Sequence, residues 1–325
     1  MPTTSYCMHM KYFVTGGAGF IGSHLVDLLM SKPQAETEIV TVYDKLTYAG
    51  NLKNLEKWKA DKRLIFLKQD ICDKVALRNA LPGHDVIIHL AAESHVDRSI
   101  NSAEPFVKTN VLGTLNVLEA ALLSNVQTMI QVSTDEVYGS ISEGSANENS
   151  LLLPNSPYAA SKASSDLIAR SFFQTHGLDV RVTRCCNNYG AHQYPEKFIP
   201  VAINAILMGS NIPIYGNGLN TREWIHVKDH AEAIFAVLQH GVPGEIYNIG
   251  SGKELTNLEL AEMICRLLGV EETRINFVKD RLGHDYRYSI ESKKIQAIYS
   301  DPLKDFERGL SHTVTWYQKN SGWWR

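Results

Sequence analysis

The sequence predicts an α/β protein, a doubly wound parallel sheet with a smaller C-terminal substrate-binding domain. Three observations carry that reading. Short apolar runs alternate with helical patterns through the first half of the chain, and strands joined by helical crossovers call for a parallel sheet covered on both faces. A glycine-rich turn, Gly16-x-x-Gly19-x-x-Gly22, joins the first apolar run to the first helical pattern. The length, 325 residues with 44% hydrophobic and 21% charged, allows one large or two ordinary domains with a real core.

The elements follow in order. The tail up to Met10 precedes a strand over 11–14, then the glycine turn and a helix over 21–30 with Leu25, Leu28 and Leu29 on its apolar side. Strands follow over 39–43, 64–67 and 85–90, then a helix over 105–123 and a strand over 128–133. The next helix runs over 157–176. Ser156 at its N-cap and Pro157 at its first position are start signals. A strand over 180–183 follows. From Asn187 to Pro200, and again from Pro213 to Asn220, Gly, Asn, Tyr and Pro cluster. These stretches read as loops around a site. A helix over 228–239 and a strand over 245–249 return to the sheet, and helices near 257–268 and 303–318 form a cap. The expected division is residues 1–186 plus about 221–249 in one domain, and about 187–220 plus 250–325 in the other.

Composition excludes several classes. Lys+Arg number 32 against 35 Asp+Glu, a net charge of −3, so no basic excess argues for nucleic acid or a membrane surface. No apolar run approaches the roughly 20 residues of a membrane span, and the first ten residues lack a signal-peptide pattern. Cys7, Cys72, Cys185, Cys186 and Cys265 contain no CxxC. They read as reduced thiols in a cytoplasmic protein, with Cys185-Cys186 a small buried pair. His226 and His230 have helical metal-ligand spacing but no evident third ligand, so no metal is expected. Trp316, Tyr317, Trp323 and Trp324 read as packing groups.

The glycine turn carries the first functional signal. Glycines let the chain turn tightly and let backbone approach a pyrophosphate at a helix N-terminus. Asp44 ends the next strand, 22 residues after Gly22. A carboxylate there accepts from a ribose hydroxyl and repels the extra phosphate of NADP. The expected cofactor is therefore NAD on a Rossmann-type sheet, although Lys45 beside Asp44 weakens the discrimination. Asp70, ending a further strand, fits an adenine contact or a surface acid equally well.

Tyr158 and Lys162 lie four apart on one helical face. A free tyrosine titrates near pH ~10, and a neighbouring ammonium favours the phenolate. Tyr-x-x-x-Lys alone is a common surface pair. After a dinucleotide signature it becomes a candidate acid/base for oxidising an alcohol. Asp135 and Glu136 follow Thr134 at a strand end. In an extended strand they would point to opposite faces, so the backbone must turn if both reach one substrate. Spacing alone fits an acidic loop as well as a pair whose pKa values split into an acid and a base.

With these motifs in place, the sequence resembles the extended short-chain dehydrogenase/reductase family. Within it, Thr134-Asp135-Glu136 resembles the nucleotide-sugar 4,6-dehydratases, most closely those acting on dTDP-glucose. The resemblance spans nearly the whole chain, including segments 44–51, 89–99, 187–190, 194–197 and 280–285. It implies catalysis by Thr134, Asp135, Glu136, Tyr158 and Lys162. It implies NAD contacts from Gly16, Gly19, Phe20, Ile21, Gly22, Asp44, Lys45, Leu46, Thr47, Asp70, Ile71, Leu90, Ala91, Ala92, Thr109, Tyr158, Lys162 and Asn188. Substrate contacts are implied at Ser94, Thr134, Asn187, Glu196, Lys197 and Phe198. Pro213, Ile214 and Tyr215 would flank the base, and Arg222, Asn257, Arg281 and His284 would hold the nucleotide. A homodimer through a four-helix bundle of the helices over 105–123 and 157–176 is implied as well; a monomer with a broad buried helix face is the alternative. Ala191, Lys228 and Leu282 depart from residues usual in the family, and none removes a catalytic group. The competing functions are a UDP-glucose dehydratase, a nucleotide-sugar 4-epimerase and a non-catalytic NAD-binding regulator.

Overall fold

The computed structural model describes residues 9–299 and 305–323. In chain order the elements are β1 (Met10–Thr15), α1 (Phe20–Met30), β2 (Thr37–Asp44), a 3-10 segment (Leu52–Trp58), β3 (Leu64–Lys68), α2 (Lys74–Ala80), β4 (Val86–His89), α3 (Val96–Asn101), α4 (Glu104–Phe106), a π-helical segment (Val107–Gly113) and α5 (Thr114–Leu123). Next come β5 (Thr128–Thr134), a 3-10 turn (Asp135–Tyr138), α6 (Pro157–His176), β6 (Val180–Cys185), β7 (Asn187–Tyr189), α7 (Phe198–Leu207), β8 (Ile212–Tyr215), β9 (Thr221–His226) and α8 (Val227–His240). The chain continues through β10 (Ile246–Ile249), β11 (Glu254–Thr256), α9 (Asn257–Leu268), a 3-10 turn (Glu272–Arg274), β12 (Ile275–Val278), α10 (Lys293–Gln296) and α11 (Phe306–Lys319).

Seven strands form one parallel sheet in the order β10-β6-β5-β4-β1-β2-β3. Side chains alternate along each strand, and the two faces fill separate cores. On β1, Tyr12 and Val14 join Leu25 and Leu29 of α1 and Ile234 and Val237 of α8. Phe13 points the other way, to Leu77 of α2, Leu118 of α5 and Phe172 of α6. The chain leaves β1 toward β2 and later enters β4 on the other side, so the order reverses between β1 and β4. Open α/β sheets bind ligands at the carboxyl ends of such neighbours.

A third core is built wholly from residues after position 188, among them Ile199, Ile203, Ile212, Ile214, Trp224, Leu260, Ile264, Leu310 and Tyr317. Beside it lie a three-stranded sheet, β11-β9-β7, and the pair β12-β8.

Several sequence expectations need correction. The stretches read as loops hold β7, α7 and β8. Asn187–Tyr189 is a strand because β9 pairs with it, and Pro200 sits in the first turn of α7, where its missing N–H costs no helical bond. The helix expected as one run over 105–123 is interrupted by the π-helical segment. Taken as one, Glu104–Leu123 is long and apolar enough by length and composition to span a bilayer, against the expectation that no run approached that length. Lys108, Asn110 and Asn116 break the apolar run in sequence, whereas the helix joins its parts, and 44% of the most apolar stretch is buried in the fold. The start of the last helix expected at 303, and Cys7 and Trp324, lie outside the described residues.

Candidate active site

A crevice of about 550 Å3 opens at the switch point between β1 and β4 and runs to β8 and β9. Its floor at one end is the glycine turn. A Cβ on Gly16 would sit 2.7 Å from the Ala91 backbone nitrogen, and one on Gly22 would sit 2.2 Å from the Gly16 carbonyl oxygen. Only glycine lets these backbones close. Gly19 caps α1 without a side-chain hydrogen bond, so the first N–H groups of the helix face the crevice as an anion site. Asp44 lines the wall; its carboxylate accepts from Ala18 N at 3.0 Å and from Leu46 N at 2.8 Å. Burial raises its pKa and these two bonds oppose the rise. Lys45 pairs with Asp70 at 2.7 Å, so its charge is met within the protein rather than offered to a ribose phosphate. The cradle therefore fits a dinucleotide.

The middle of the crevice holds the reactive groups. Ser156 Oγ accepts from Ala159 N at 3.1 Å and starts α6, which places Tyr158 and Lys162 on its inward face, both lining the crevice. Lys162 Nζ donates to the Val132 carbonyl at 2.7 Å, and burial lowers its pKa. Tyr158 hydrogen-bonds Thr134, and its pKa stands well above the ordinary value because of burial first and the Glu136 charge second. Lys162 gives one Nζ–H to the Val132 carbonyl, and the Glu136 charge faces the phenol.

After Thr134 the strand breaks into the 3-10 turn, capped by Thr134 Oγ1 accepting from Glu136 N at 3.3 Å. The turn separates the two acids. Glu136 lines the crevice, whereas Asp135 does not. Asp135 lies 2% exposed behind the wall and accepts from Thr134 Oγ1 at 3.2 Å. Burial, then the Glu136 charge, drives its pKa well above the ordinary carboxyl value and favours the protonated form.

At the far end Lys197 Nζ donates to Ser94 O at 2.7 Å; burial lowers its pKa, and the Glu136 charge opposes this. Arg222 is held by the carbonyls of Asp285 at 2.9 Å and Tyr286 at 3.3 Å and stands over the Tyr288 ring. Arg281 reaches Asp97 at 3.5 Å, and His284 Nδ1 lies 2.7 Å from Asp280. Glu196 accepts from Tyr48 Oη at 3.0 Å and lies 3.5 Å from Arg98, tying the two lips together.

The crevice thus gathers every expected site residue except Leu46, Asp135 and Ile214. On β8 the alternation explains Ile214: Pro213 and Tyr215 are exposed while Ile212 and Ile214 are buried in the third core. Leu46 offers its backbone N–H to Asp44 rather than its side chain to the crevice. Sequence reasoning missed Asn110. It is turned inward by the π-helical segment, accepts from Glu93 N at 2.8 Å and donates to Ser161 Oγ at 2.8 Å, pinning a crevice wall to α6. An asparagine inside an apolar helix was the available signal. His226 accepts from Lys228 N and caps α8, and His230 Nδ1 bonds Asn188 Oδ1 at 2.9 Å. Cys185 and Cys186 are buried and line the crevice; burial pushes Cys185 up to about 12. Trp323 stacks on His192, with centroids 5.7 Å apart, and packs edge-on against Trp316.

Residues 13–307 match the model of the family described as GDP-mannose 4,6 dehydratase. A dTDP-glucose 4,6-dehydratase from Actinoplanes sp. is 51% identical, over 97% of this chain and 100% of its own. The Escherichia coli protein of that name is 43% identical, over 97% and 96%. Among solved structures, DesIV, a dTDP-glucose 4,6-dehydratase from Streptomyces venezuelae with NAD and TYD bound, superposes with a TM-score of 0.95 at 52% identity, covering 97% of this chain and 99% of its own. A UDP-glucose 4-epimerase from Thermotoga maritima superposes with a TM-score of 0.88 at 28% identity, covering 96% and 100%.

Proposed function

The chain belongs to the GDP-mannose 4,6 dehydratase family, and from that premise we propose that it is an NAD-dependent hydro-lyase, a dTDP-glucose 4,6-dehydratase. It converts dTDP-glucose to dTDP-4-dehydro-6-deoxy-glucose. The observation that carries this reading is that the crevice lined by Tyr158 and Lys162 is also lined by Glu136, with Asp135, whose burial favours its neutral form, next to it behind the wall. Epimerising a carbinol centre requires only the Tyr158 and Lys162 pair.

We assign the roles as follows. Gly16, the first turn of α1, Asp44 and the 90–92 wall hold NAD, which supplies a hydride acceptor and donor when bound. Tyr158 takes the proton of the sugar 4-hydroxyl, with Lys162 and Thr134 fixing its position. The ketone so formed acidifies the C5 hydrogen, and Glu136 removes it as general base. Asp135 supplies the proton with which the 6-hydroxyl departs as water, from behind the wall that Thr134 lines and through its Thr134 Oγ1 contact. Lys197 and Ser94 orient the hexose, and Arg222 and Arg281 hold the diphosphate, which suits planar guanidinium groups. Hydride would then return to C6 from the bound cofactor, Glu136 gives its proton back to C5, and Tyr158 sheds the 4-hydroxyl proton to solvent before the next turnover.

Residues 1–186 with about 221–249 act as the NAD-binding unit, and the rest as the nucleotide-sugar unit. The third core supports this assignment except at 221–226, where Trp224 and β9 pack and pair with the smaller unit. We also place two chains in a homodimer through the helical run 104–123 and α6, whose outer faces expose Leu112 and Leu167. Free thiols at Cys72, Cys185, Cys186 and Cys265 fit a reducing cytoplasm.

The test is separate incubation with dTDP-glucose and UDP-glucose, following the alkali-induced absorbance of the 4-keto product. Substrate deuterated at C4 is expected to give product labelled at C6. Turnover of UDP-glucose alone rejects the thymidine assignment, and label lost to solvent rejects the hydride path.

A further inference from the structure

We infer that Tyr138, Arg184 and Asp166 form a buried brace that positions the elimination acids against the oxidation pair, although none of the three lines the crevice. The inference rests on the dehydratase reading and deepens it. Asp166 lies one helical turn after Lys162 on the buried face of α6. Its Oδ2 accepts from Arg184 Nε at 2.9 Å. Arg184 sits on β6 with Ser133 of β5 as one neighbour and Asn248 of β10 as the other. From there its NH1 donates to Tyr138 Oη at 2.9 Å, and Tyr138 donates to Asn248 Oδ1 at 2.8 Å. Tyr138 is the last residue of the turn that begins with Asp135 and Glu136.

One continuous set of charged bonds therefore runs from the helix that carries Tyr158 and Lys162 to the turn that carries Glu136. Asp166, Arg184 and Tyr138 are each 2–3% exposed. Burying an ion pair and a phenol is costly and is a weak source of stability. What it does supply is a fixed geometry, because a buried Arg184 leaves its partners few alternative positions. The catalysis proposed above needs that geometry. The same sugar must meet Tyr158 at one carbon and Glu136 at the next, and a shift of about 1 Å in a reacting group costs up to roughly 10²-fold in rate. At its start the turn is held locally by Thr134, whose Oγ1 accepts from Glu136 N at 3.3 Å and donates to Asp135 Oδ1 at 3.2 Å.

The test is Tyr138→Phe, which keeps the ring and removes the hydroxyl that joins Arg184 to Asn248. With dTDP-glucose we expect C4 oxidation at the wild-type rate and elimination slowed roughly tenfold to a hundredfold, so that reduced cofactor accumulates in the steady state, read at 340 nm, with KM nearly unchanged. Asp166→Asn is the second variant. Asp166 opposes the burial that lowers the Lys162 pKa, so its loss lowers that pKa further. The alkaline limb of the oxidation step is expected to move to lower pH, a shift that Tyr138→Phe does not produce. A Tyr138→Phe enzyme with a lower melting temperature and a wild-type oxidation-to-elimination ratio overturns the brace, as does an unchanged kcat. If wild-type protein itself fails to reduce its cofactor with dTDP-glucose, the dehydratase reading fails rather than the brace.

Discussion

Glu136 and Asp135 are adjacent in sequence yet occupy different environments, and two predictions follow from that difference. Glu136 faces the crevice. Glu136→Gln keeps the shape and removes the base, so kcat is expected to fall about 10²–10⁴-fold, with oxidised sugar and reduced cofactor trapped on the protein. Stopped-flow absorbance at 340 nm checks this; undiminished turnover removes Glu136 from the mechanism. Asp135 is buried, and burial raises its pKa. A carboxyl whose pKa rises on folding contributes its stability below the unfolded value, near ~3.9, and loses it as pH climbs toward the folded value. Asp135→Asn has no such loss. Its melting temperature is expected to gain on wild type as pH rises from about 4, while activity drops. Parallel melting curves across pH would show that Asp135 ionises freely. Sequence reasoning located both acids but not their separation, because the sides on which they fall depend on a 3-10 turn capped by Thr134 and tied at its far end by Tyr138.

At the level of single elements, local chemistry was legible and long-range pairing was not. The start of α6 was readable because Ser156 and Pro157 act within one turn, and the structure places the cap there. The glycine turn is equally local. By contrast β7 exists through its pairing with β9, and the cross-lip contacts of Glu196 with Tyr48 and Arg98 join residues 148 and 98 positions apart. No window of sequence contains both partners. The α6 cap also yields a prediction, since Tyr158 lies in the first turn that it orders. Ser156→Ala is expected to cost about 1 kcal/mol in denaturant unfolding, and Ser156→Gly only a few tenths. Equal losses in the two variants would mean that the side chain contributes by packing rather than by its bond to Ala159 N.

For the whole molecule, the helices that position the chemistry also carry exposed apolar side chains. α6 turns Tyr158, Lys162 and Asp166 inward, while Leu167, the next residue after Asp166, is 59% exposed and Leu112, at the end of the π-helical segment, is 52% exposed. A face this apolar on two adjacent helices is costly in water, and a symmetric pairing with a second copy buries the same face twice. The double variant Leu112→Glu, Leu167→Glu places four carboxylates in such a contact. It is expected to convert a dimer to a monomer in light scattering coupled to size exclusion. In the proposed dimer the partner steadies α6 on its outer side, so kcat is expected to fall with the loss of the dimer, and to recover in part as protein concentration is raised. A wild-type protein that is already monomeric, or a double variant that still elutes as a dimer, assigns that face to another role.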